Sequence, residues 1–433
     1  MRSSNQARRH PDNWNSLPLR VSALALWAFV LLATNAGAER IAIKAGRLVD
    51  PQGGQVATNQ VIVVEDGKIA SVGGGQPPAG ATVIDLSDAT VLPGLFDCHT
   101  HLCASVSFRG HGPDSFLTDL TAYTSQTTDA YRALQGVANA ASMLDAGFTT
   151  VRDVGNAGLY ADTDLRHAVE KGLVPGPTIV NAGRIIAPFG GQLHLTPQRG
   201  GQTVTEYLFA DTPDELVKAV RENVHFGARV IKVVADDQPY AYNTADMTTI
   251  VTEAARAGLK VAAHCMTDAG SRSAVEAGVA SVEHGFLMTD ETLALARRRG
   301  VVLVGTDFTR ELLEAFGLGE LHPTIVDRLK RARKAGVTMA YGTDVFLEGG
   351  RSRGAWAMSM IRSYAEAGMP APEILRMMTT NAARLLGVEK DRGAIRPGLA
   401  ADIVATRGRP DQDILALEDV VFVMKDGRVI KGR

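Results

Sequence analysis

The segment 91–102 (VLPGLFDCHTHL) ends in two histidines, His99 and His101, that are separated by a single residue. Alternate side chains of a β-strand share a face, so both imidazoles are expected to project to the same side. Two imidazoles that project together can hold one face of a divalent metal ion. The spacing by itself is a weak indication, because H-x-H tripeptides also occur without any metal.

Four further residues with suitable chemistry stand at the ends of predicted strands: Lys232, His264, His284 and Asp344. Each has a structural alternative, such as a core histidine, a lysine reaching the solvent or an aspartate that caps a helix. Together with the histidine pair they favour a metal centre, since imidazole and carboxylate suit Zn²⁺ and similar ions. A buried lysine is pushed towards the neutral amine, which can capture CO₂ as a carbamate and so become an anionic bridging ligand.

Strand-like and helix-like segments alternate regularly through the middle of the chain. Strands are predicted at 148–154, 177–182, 228–234, 259–263, 279–282, 301–304 and 337–340, and helices at 130–146, 213–226, 244–257, 290–299 and 323–335. With the strand that ends at His101 this makes eight βα units, which predicts an α/β fold, a (β/α)8 TIM barrel with its chemistry at the strand C-termini. A doubly wound open sheet is the alternative, but the sequence has no glycine-rich phosphate loop to favour it.

Two similar hairpins are predicted near the opposite ends of the chain, at Asp66-Gly67 and Asp426-Gly427. Asp-Gly between apolar alternations favours a type I′ turn, which needs positive φ at both central residues. The hairpins predict a small β-sandwich domain built from 39–92 and 394–433, around a metal-dependent barrel at 93–393.

The N-terminal 38 residues have the order of a secretory signal peptide. Arginines precede an apolar run at 21–33, and Ala36-Gly37-Ala38 follows as a small-residue cleavage site. Cleavage after Ala38 predicts a periplasmic or secreted protein with no membrane association once the signal is removed; an uncleaved anchor helix is the alternative.

Composition narrows the class of protein further. Of 433 residues, 21% are charged and the net charge is −2, which gives no indication of nucleic acid as a partner. Cys98, Cys103 and Cys265 each lie beside a candidate ligand histidine, which indicates buried small residues rather than disulfides.

The motifs PGLFDCHTH (93–101), GTD (342–344), NAARLLG (381–387) and GLAADIV (398–404) resemble the amidohydrolase superfamily. The resemblance implies that His99, His101 and Asp344 bind one metal ion and that His264 and His284 bind a second. It also implies that a carboxylated Lys232 bridges the two ions, for which zinc is the expected metal.

Within the superfamily, FTTVRD (148–153), GLVPGP (172–177) and VEHG (282–285) are similar to the branch of imidazolonepropionase-like proteins and bacterial prolidases. That branch includes Xaa-Pro and Xaa-Arg dipeptidases, N-acyl amino acid amidases and ochratoxin A hydrolases. Imidazolonepropionases proper lack the bridging lysine, so Lys232 favours the binuclear hydrolases. The resemblance implies cleavage of an amide bond to release an amino acid from a dipeptide or N-acyl amino acid, N-acyl-phenylalanine amides of the ochratoxin A type included.

The implied mechanism uses a metal-bridging hydroxide, with Asp344 as the proton shuttle. His194 matches the place where relatives present a histidine to the substrate, so it is predicted to be catalytic and to contact substrate. Substrate contacts are also predicted for Tyr240 and Tyr242. Arg351 and Arg353 are candidates for pairing with a substrate carboxylate.

Two other functions remain open. One is a heterocycle deaminase or cyclic amide hydrolase on the same barrel, against which Lys232 counts. The other is a non-catalytic binding or assembly protein, which is expected to have lost ligands, whereas all six are present. The expected partner is a small amide or dipeptide, and a homo-oligomer is expected by analogy with relatives.

Overall fold

The computed structural model of this chain describes residues 40–108, 113–155, 157–193, 205–237 and 239–432. The predicted signal peptide 1–38 and His194 lie outside the described residues. All described residues belong to one compact unit. Within them, no helix combines the length and the apolar character needed to cross a membrane.

The strands of the described chain are β1 (Arg40–Asp50), β2 (Gln55–Glu65), β3 (Lys68–Gly74), β4 (Thr82–Pro93), β5 (Leu95–Thr100), β6 (Phe148–Asp153), β7 (Thr178–Asn181), β8 (Ile185–Ala187), β9 (Tyr207–Phe209), β10 (Ile231–Val234), β11 (Val261–Cys265), β12 (Ser281–His284), β13 (Val302–Val304), β14 (Ile403–Thr406), β15 (Val420–Lys425) and β16 (Arg428–Lys431). Its helices are α1 (Pro113–Gln126), α2 (Asp129–Asp145), α3 (Ala161–Glu170), α4 (Pro213–His225), α5 (Thr244–Arg256), α6 (Asp268–Ala277), α7 (Asp290–Arg299), α8 (Arg310–Ala315), α9 (His322–Ala335), α10 (Arg353–Ser359), α11 (Ile361–Glu366), α12 (Ala371–Met377) and α13 (Thr380–Leu386), with short 3-10 turns at Gly319–Leu321 and Ile414–Glu418.

Strands from both ends of the chain form one seven-stranded sheet in the order β16-β15-β14-β4-β1-β2-β3. The two Asp-Gly turns have the positive φ values expected for hairpins, 50° and 76° at Asp66 and Gly67 and 47° and 76° at Asp426 and Gly427. Because all seven strands are hydrogen-bonded as one sheet, two separate sheets are not shown. The sandwich and the domain boundaries therefore stay predictions.

The middle of the chain forms two parallel sheets, β13-β12-β11-β10-β8-β9 and β5-β6-β7, with helices between most of the successive strands. β5, β6, β10, β11 and β12 are buried along their whole length, as expected for strands of a parallel sheet that is covered on both faces. Their side chains pack with those of the helices in a single large core. The chain therefore has the predicted α/β class.

Backbone hydrogen bonds connect the edges of these two sheets. The N–H of Arg229 donates to the Asn181 carbonyl at 2.7 Å, which brings the end of β7 beside the start of β10. The N–H of Cys98 in β5 donates to the Tyr341 carbonyl at 2.7 Å. The predicted strand 337–340 is reduced to one parallel bridge between Leu303 and Met339, which is too little pairing to form a strand.

Gly94 connects the seven-stranded sheet to β5. A Cβ atom at Gly94 would lie 2.2 Å from Thr149 Oγ1, so only glycine permits this close approach of β5 to β6. Because Gly94 allows this close approach, β5 and its residue His99 pack directly against β6.

Candidate functional site

The six predicted metal ligands line a single cavity of about 170 Å³. They come from the C-terminal ends of β5, β10, β11 and β12 and from the segment after the Met339 bridge, and they are His99, His101, Lys232, His264, His284 and Asp344. Parallel strands present their carboxyl ends at one edge, which is why residues so distant in sequence meet here.

Three of these residues, His99, His101 and Asp344, have ligand atoms that all lie within 4.8 Å of one another. His101 Nε2 is 2.9 Å and His99 Nε2 is 3.6 Å from Asp344 Oδ1. Burial raises the pKa of Asp344, but His99 and His101 outweigh it and hold that pKa below its ordinary value. The group therefore presents a carboxylate beside two imidazoles, a donor set that suits zinc.

Lys232 lies against this group and is only 3% exposed. Its Nζ is 3.4 Å from His99 Nε2. Burial lowers the pKa of Lys232 to about 8, although Glu283 and Asp344 act in the opposite direction. Burial therefore raises the fraction of neutral amine near neutral pH above that of an exposed lysine, and the neutral form is the one that reacts with CO₂.

His264 and His284 form the remainder of the cluster, with ring centroids 4.5 Å apart. Nδ1 of His284 is 2.7 Å from Thr306 Oγ1, which fixes the orientation of the ring. Burial lowers the pKa of His284 well below its ordinary value, so the imidazole is neutral as a metal ligand must be. His284 also has a left-handed φ of 65°, a conformation that costs about 1–3 kcal/mol and is typical of functional sites.

The structure adds two residues to which the sequence assigned no role. His99 Nδ1 lies 2.7 Å from Glu283 Oε2, and Arg152 Nη2 donates to Glu283 Oε1 at 2.7 Å. All three side chains are buried. Glu283 thereby selects the tautomer in which Nδ1 of His99 is protonated and Nε2 is free to bind a metal. The sequence signal for this role was the presence of a charged residue, Glu283, inside the buried strand β12.

We expect Glu283→Gln to weaken metal binding about 10- to 100-fold, because the amide no longer selects the tautomer of His99 or pairs fully with Arg152. Competition with a chromogenic chelator measures this affinity directly. Glu311→Gln, at an exposed glutamate, is the matched control. An unchanged affinity in Glu283→Gln contradicts the positioning role.

Asp97 connects the two segments that carry the closest ligands. Its Oδ2 accepts a hydrogen bond from Thr343 Oγ1 at 2.6 Å, and its Oδ1 accepts from the N–H groups of His99 and Thr343, both at 3.1 Å. Burial raises the pKa of Asp97 to about 7 despite these hydrogen bonds. Asp97 therefore sets the spacing between His99 and Asp344.

Neither predicted tyrosine lines the cavity. Tyr242 is 3% exposed, and its hydroxyl donates to the Ala210 carbonyl at 2.6 Å, which is a structural contact and corrects its predicted role. Tyr240 is 60% exposed and lies outside the cavity lining.

The two arginines are also placed away from the cavity lining. Arg353 is buried, and its guanidinium donates to the carbonyls of His101 at 3.0 Å, Val345 at 2.5 Å and Ala104 at 2.6 Å. Its predicted pairing with a substrate carboxylate is therefore corrected: the guanidinium joins the loop after β5 to the segment after Asp344. Arg351 pairs with Glu311 at 2.8 Å on the surface.

We expect Arg353→Ala to lower the free energy of unfolding by about 3 kcal/mol, since it leaves buried carbonyls without donors. Arg351→Ala removes an exposed ion pair and the contact of the guanidinium with the Trp356 ring, 4.6 Å from its centroid, and should cost about 1 kcal/mol. Urea unfolding followed by circular dichroism measures both values. If both substitutions lower the free energy of unfolding by the same small amount, Arg353 does not stabilise the fold through its hydrogen bonds to the carbonyls.

The loop after β8 contributes other polar groups to the cavity. Gln192 Nε2 lies 3.4 Å from His264 Nε2 and donates to Asp237 Oδ2 at 3.1 Å. Both Gln192 and Asp237 line the cavity. Gln192 is two residues before His194, which lies outside the described residues, so the predicted substrate contact of His194 stays a prediction.

Comparison with known proteins identifies the family of this chain. The model of the amidohydrolase family matches residues 90–432. Ochratoxinase of Aspergillus niger is 28% identical over 452 aligned residues, which cover 93% of this chain and 89% of that protein. Imidazolonepropionase of Kosmotoga olearia is 25% identical over 405, covering 87% and 91%.

Solved structures agree with this assignment. A Xaa-Pro dipeptidase with methionine bound in its active site has a TM-score of 0.80 and 29% identity, covering 91% of this chain and all of that chain. The predicted superfamily and branch are thus confirmed. With a family match across most of its length and the ligand types converging in one cavity, the chain belongs to the amidohydrolase family.

Proposed function

We propose that this protein is a metal-dependent hydrolase that cleaves an amide bond and releases an amino acid from a dipeptide or an N-acyl amino acid. The observation that carries the proposal is the convergence of His99, His101 and Asp344 within 4.8 Å, in a cavity that also holds a buried lysine. The similarity to a Xaa-Pro dipeptidase and to an ochratoxinase supports the choice of an amide substrate.

The donor set of the cavity fits two divalent ions. His99, His101 and Asp344 would hold one ion, and His264 and His284 would hold the other, with the histidines binding through imidazole nitrogens. Lys232, whose pKa burial lowers to about 8, would span both as a carbamate. When bound, such ions polarise a carbonyl group and lower the pKa of water; zinc is the ion we propose.

The remaining chemistry belongs to the side chains of the chain itself. The Asp344 carboxylate, held by His101 Nε2 at 2.9 Å, would accept the proton of the attacking water and deliver it to the leaving amine. The Asp344 side chain is 13% exposed, so water can reach the carboxylate that would accept its proton.

The architecture and cellular setting form part of the same proposal. Closure of the parallel sheets into a (β/α)8 barrel is supported by the hydrogen bonds that Arg229 and Cys98 make across the sheet edges. We further propose a signal peptide cleaved after Ala38, a periplasmic or secreted location, and a homo-oligomer that acts on a small molecule.

A heterocycle deaminase or cyclic amide hydrolase is the second candidate. It is favoured by the similarity to a 5-methylthioadenosine/S-adenosylhomocysteine deaminase of Symbiobacterium thermophilum, 26% identical over 449 residues, covering 90% of this chain and 93% of that protein. Lys232 counts against it, because a bridging ligand is needed only where two ions share the cavity.

The test is a substrate panel before and after metal removal. We expect the purified protein to release amino acids from dipeptides or N-acyl amino acids, to lose this activity after chelation and to regain it with about two equivalents of zinc. Activity confined to adenosine-type or cyclic substrates in the same panel would replace this proposal with the second candidate.

A further inference from the structure

Five phenylalanine rings form a continuous row beside the candidate metal ligands. In order the rings belong to Phe286, Phe308, Phe316, Phe108 and Phe346, with successive centroid distances of 6.4, 6.3, 5.0 and 5.9 Å. We call this row the aromatic arch. Its members come from four separate parts of the chain, and all except Phe108 line the cavity.

The two ends of the aromatic arch contact the histidine cluster. The Phe286 ring lies 5.7 Å from the His284 ring, and the Phe346 ring lies 5.4 Å from the His101 ring. The arch therefore runs from the ligands proposed for one ion to those proposed for the other. A substrate whose scissile bond lies among these histidines has this row of rings within reach.

The middle of the aromatic arch belongs to the segment 308–321, which follows β13. Phe308, Leu313, Phe316, Leu318 and Leu321 all line the cavity. Charged residues of the same segment, such as Glu311 and Glu314, do not line it. The segment thus turns only apolar side chains towards the cavity.

The Phe286 end of the aromatic arch packs against the buried side chain of Arg328. The guanidinium of buried Arg328 lies 5.7 Å from the centroid of the Phe286 ring and pairs with Asp307 at 2.8 Å. Asp307 directly precedes Phe308, so the same ion pair restrains two members of the arch. A restrained apolar wall loses little entropy when a ligand packs against it.

Among the described residues of the cavity lining, charged groups are confined to the candidate ligands and their neighbours. They are Lys232, Asp344 and Asp237, and the last lies 3.4 Å from His264. A charged substrate group placed against the aromatic arch would therefore lose water without gaining a partner among the described residues. An apolar group would instead gain by leaving water.

The cavity has room for an apolar group. Its volume of about 170 Å³ is close to the ~150 Å³ of an apolar cavity that binds benzene. A group about as large as one aromatic ring can therefore lie against the aromatic arch.

We infer that the aromatic arch is the specificity pocket of this protein and selects substrates with an uncharged apolar group next to the scissile amide. Phe308 is the principal specificity-determining residue, because it lines the cavity at the start of the segment and is only partly buried. This inference rests on the proposed amide hydrolysis.

The experiment compares kcat/KM for two pairs of amides, in wild type, Phe308→Leu and Phe308→Lys. N-acetyl-L-phenylalanine against N-acetyl-L-aspartate varies the amino acid, and N-benzoylglycine against N-succinylglycine varies the acyl group. In wild type we expect at least about tenfold preference for the apolar member of one pair. Phe308→Leu should retain that preference, and Phe308→Lys should lose or reverse it.

Phe189→Lys is the matched control, since Phe189 is a 63% exposed phenylalanine outside the cavity lining and should leave the preference unchanged. Equal kcat/KM within both pairs in wild type, or an unaltered preference in Phe308→Lys, would overturn the inference while amide hydrolysis stands.

Calorimetry separates the two proposals when none of the four amides is cleaved, which would count against the proposed function. We then expect 3-phenylpropionate to bind the zinc-loaded protein at least about tenfold more tightly than succinate, and Phe308→Lys to abolish the difference. Equal binding of the two acids by wild type would overturn the specificity pocket independently of turnover.

Discussion

Asp344→Asn is expected to lower kcat by about 10³-fold or more while the protein retains most of its bound metal. The amide oxygen of asparagine still offers a ligand atom, but it cannot accept the proton of an attacking water. Asp344 is the carboxylate closest to His101 Nε2, at 2.9 Å, so no other described carboxylate of the cavity stands in the same place. Initial rates on the best amide, with metal content measured in parallel, give the result.

The control for Asp344→Asn is Asp237→Asn, which alters a cavity carboxylate whose side chain is 42% exposed and 3.4 Å from His264. We expect the control to reduce kcat by less than about tenfold. A variant at Asp344 whose activity falls only in proportion to lost metal would assign that residue to binding alone and remove its proton-transfer role.

Lys232→Ala is expected to reduce bound zinc from about two equivalents to about one and to abolish amide hydrolysis. The reason is the central position of Lys232, which is buried, 3.4 Å from His99 Nε2 and in the same cavity as His264 and His284. Without the proposed carbamate of Lys232, the cavity loses the anionic group that would lie between the two cations and offset their repulsion. Metal analysis of the purified variant measures the stoichiometry.

Chemical rescue sharpens this second prediction. Propionate added to Lys232→Ala should fill part of the vacated space with an anionic carboxylate and restore a measurable fraction of the activity. Lys260→Ala is the control. Lys260 directly precedes β11, at the end of that strand away from the cavity, and it donates to the carbonyls of Arg384 and Leu385. Full activity with one equivalent of metal in Lys232→Ala would exclude the bridging role and favour the deaminase candidate.

The sequence determined the elements and the chemical types at their ends. Hydrophobic runs placed β6, β10, β11, β12 and β13 within a few residues of their observed bounds. The Asp-Gly pairs determined two hairpins because a left-handed turn is a local property of those residues. The sequence also predicted that His99 in β5 and His101 just after it are metal ligands. This prediction was possible because the alternation of side chains along a strand depends on neighbouring residues only.

The contacts between distant residues were decided by the tertiary structure alone. Arg353 donates to the His101 carbonyl 252 residues away, and His99 meets Glu283 across 184 residues. An arginine in a glycine-rich loop has the same local pattern whether it faces substrate or is buried against carbonyls. The partners that distinguish these cases are brought together only when the strands assemble.

The aromatic arch illustrates the same physical limit. Phe108, Phe286, Phe308, Phe316 and Phe346 show no periodicity, because their spacing along the chain follows the lengths of separate βα loops. Parallel strands bring the loops at their carboxyl ends to one edge, so rings from four segments come within 5.0 to 6.4 Å of their neighbours. Local propensity thus determined which residues are available for chemistry, whereas the packing of strands determined which of them surround the substrate cavity.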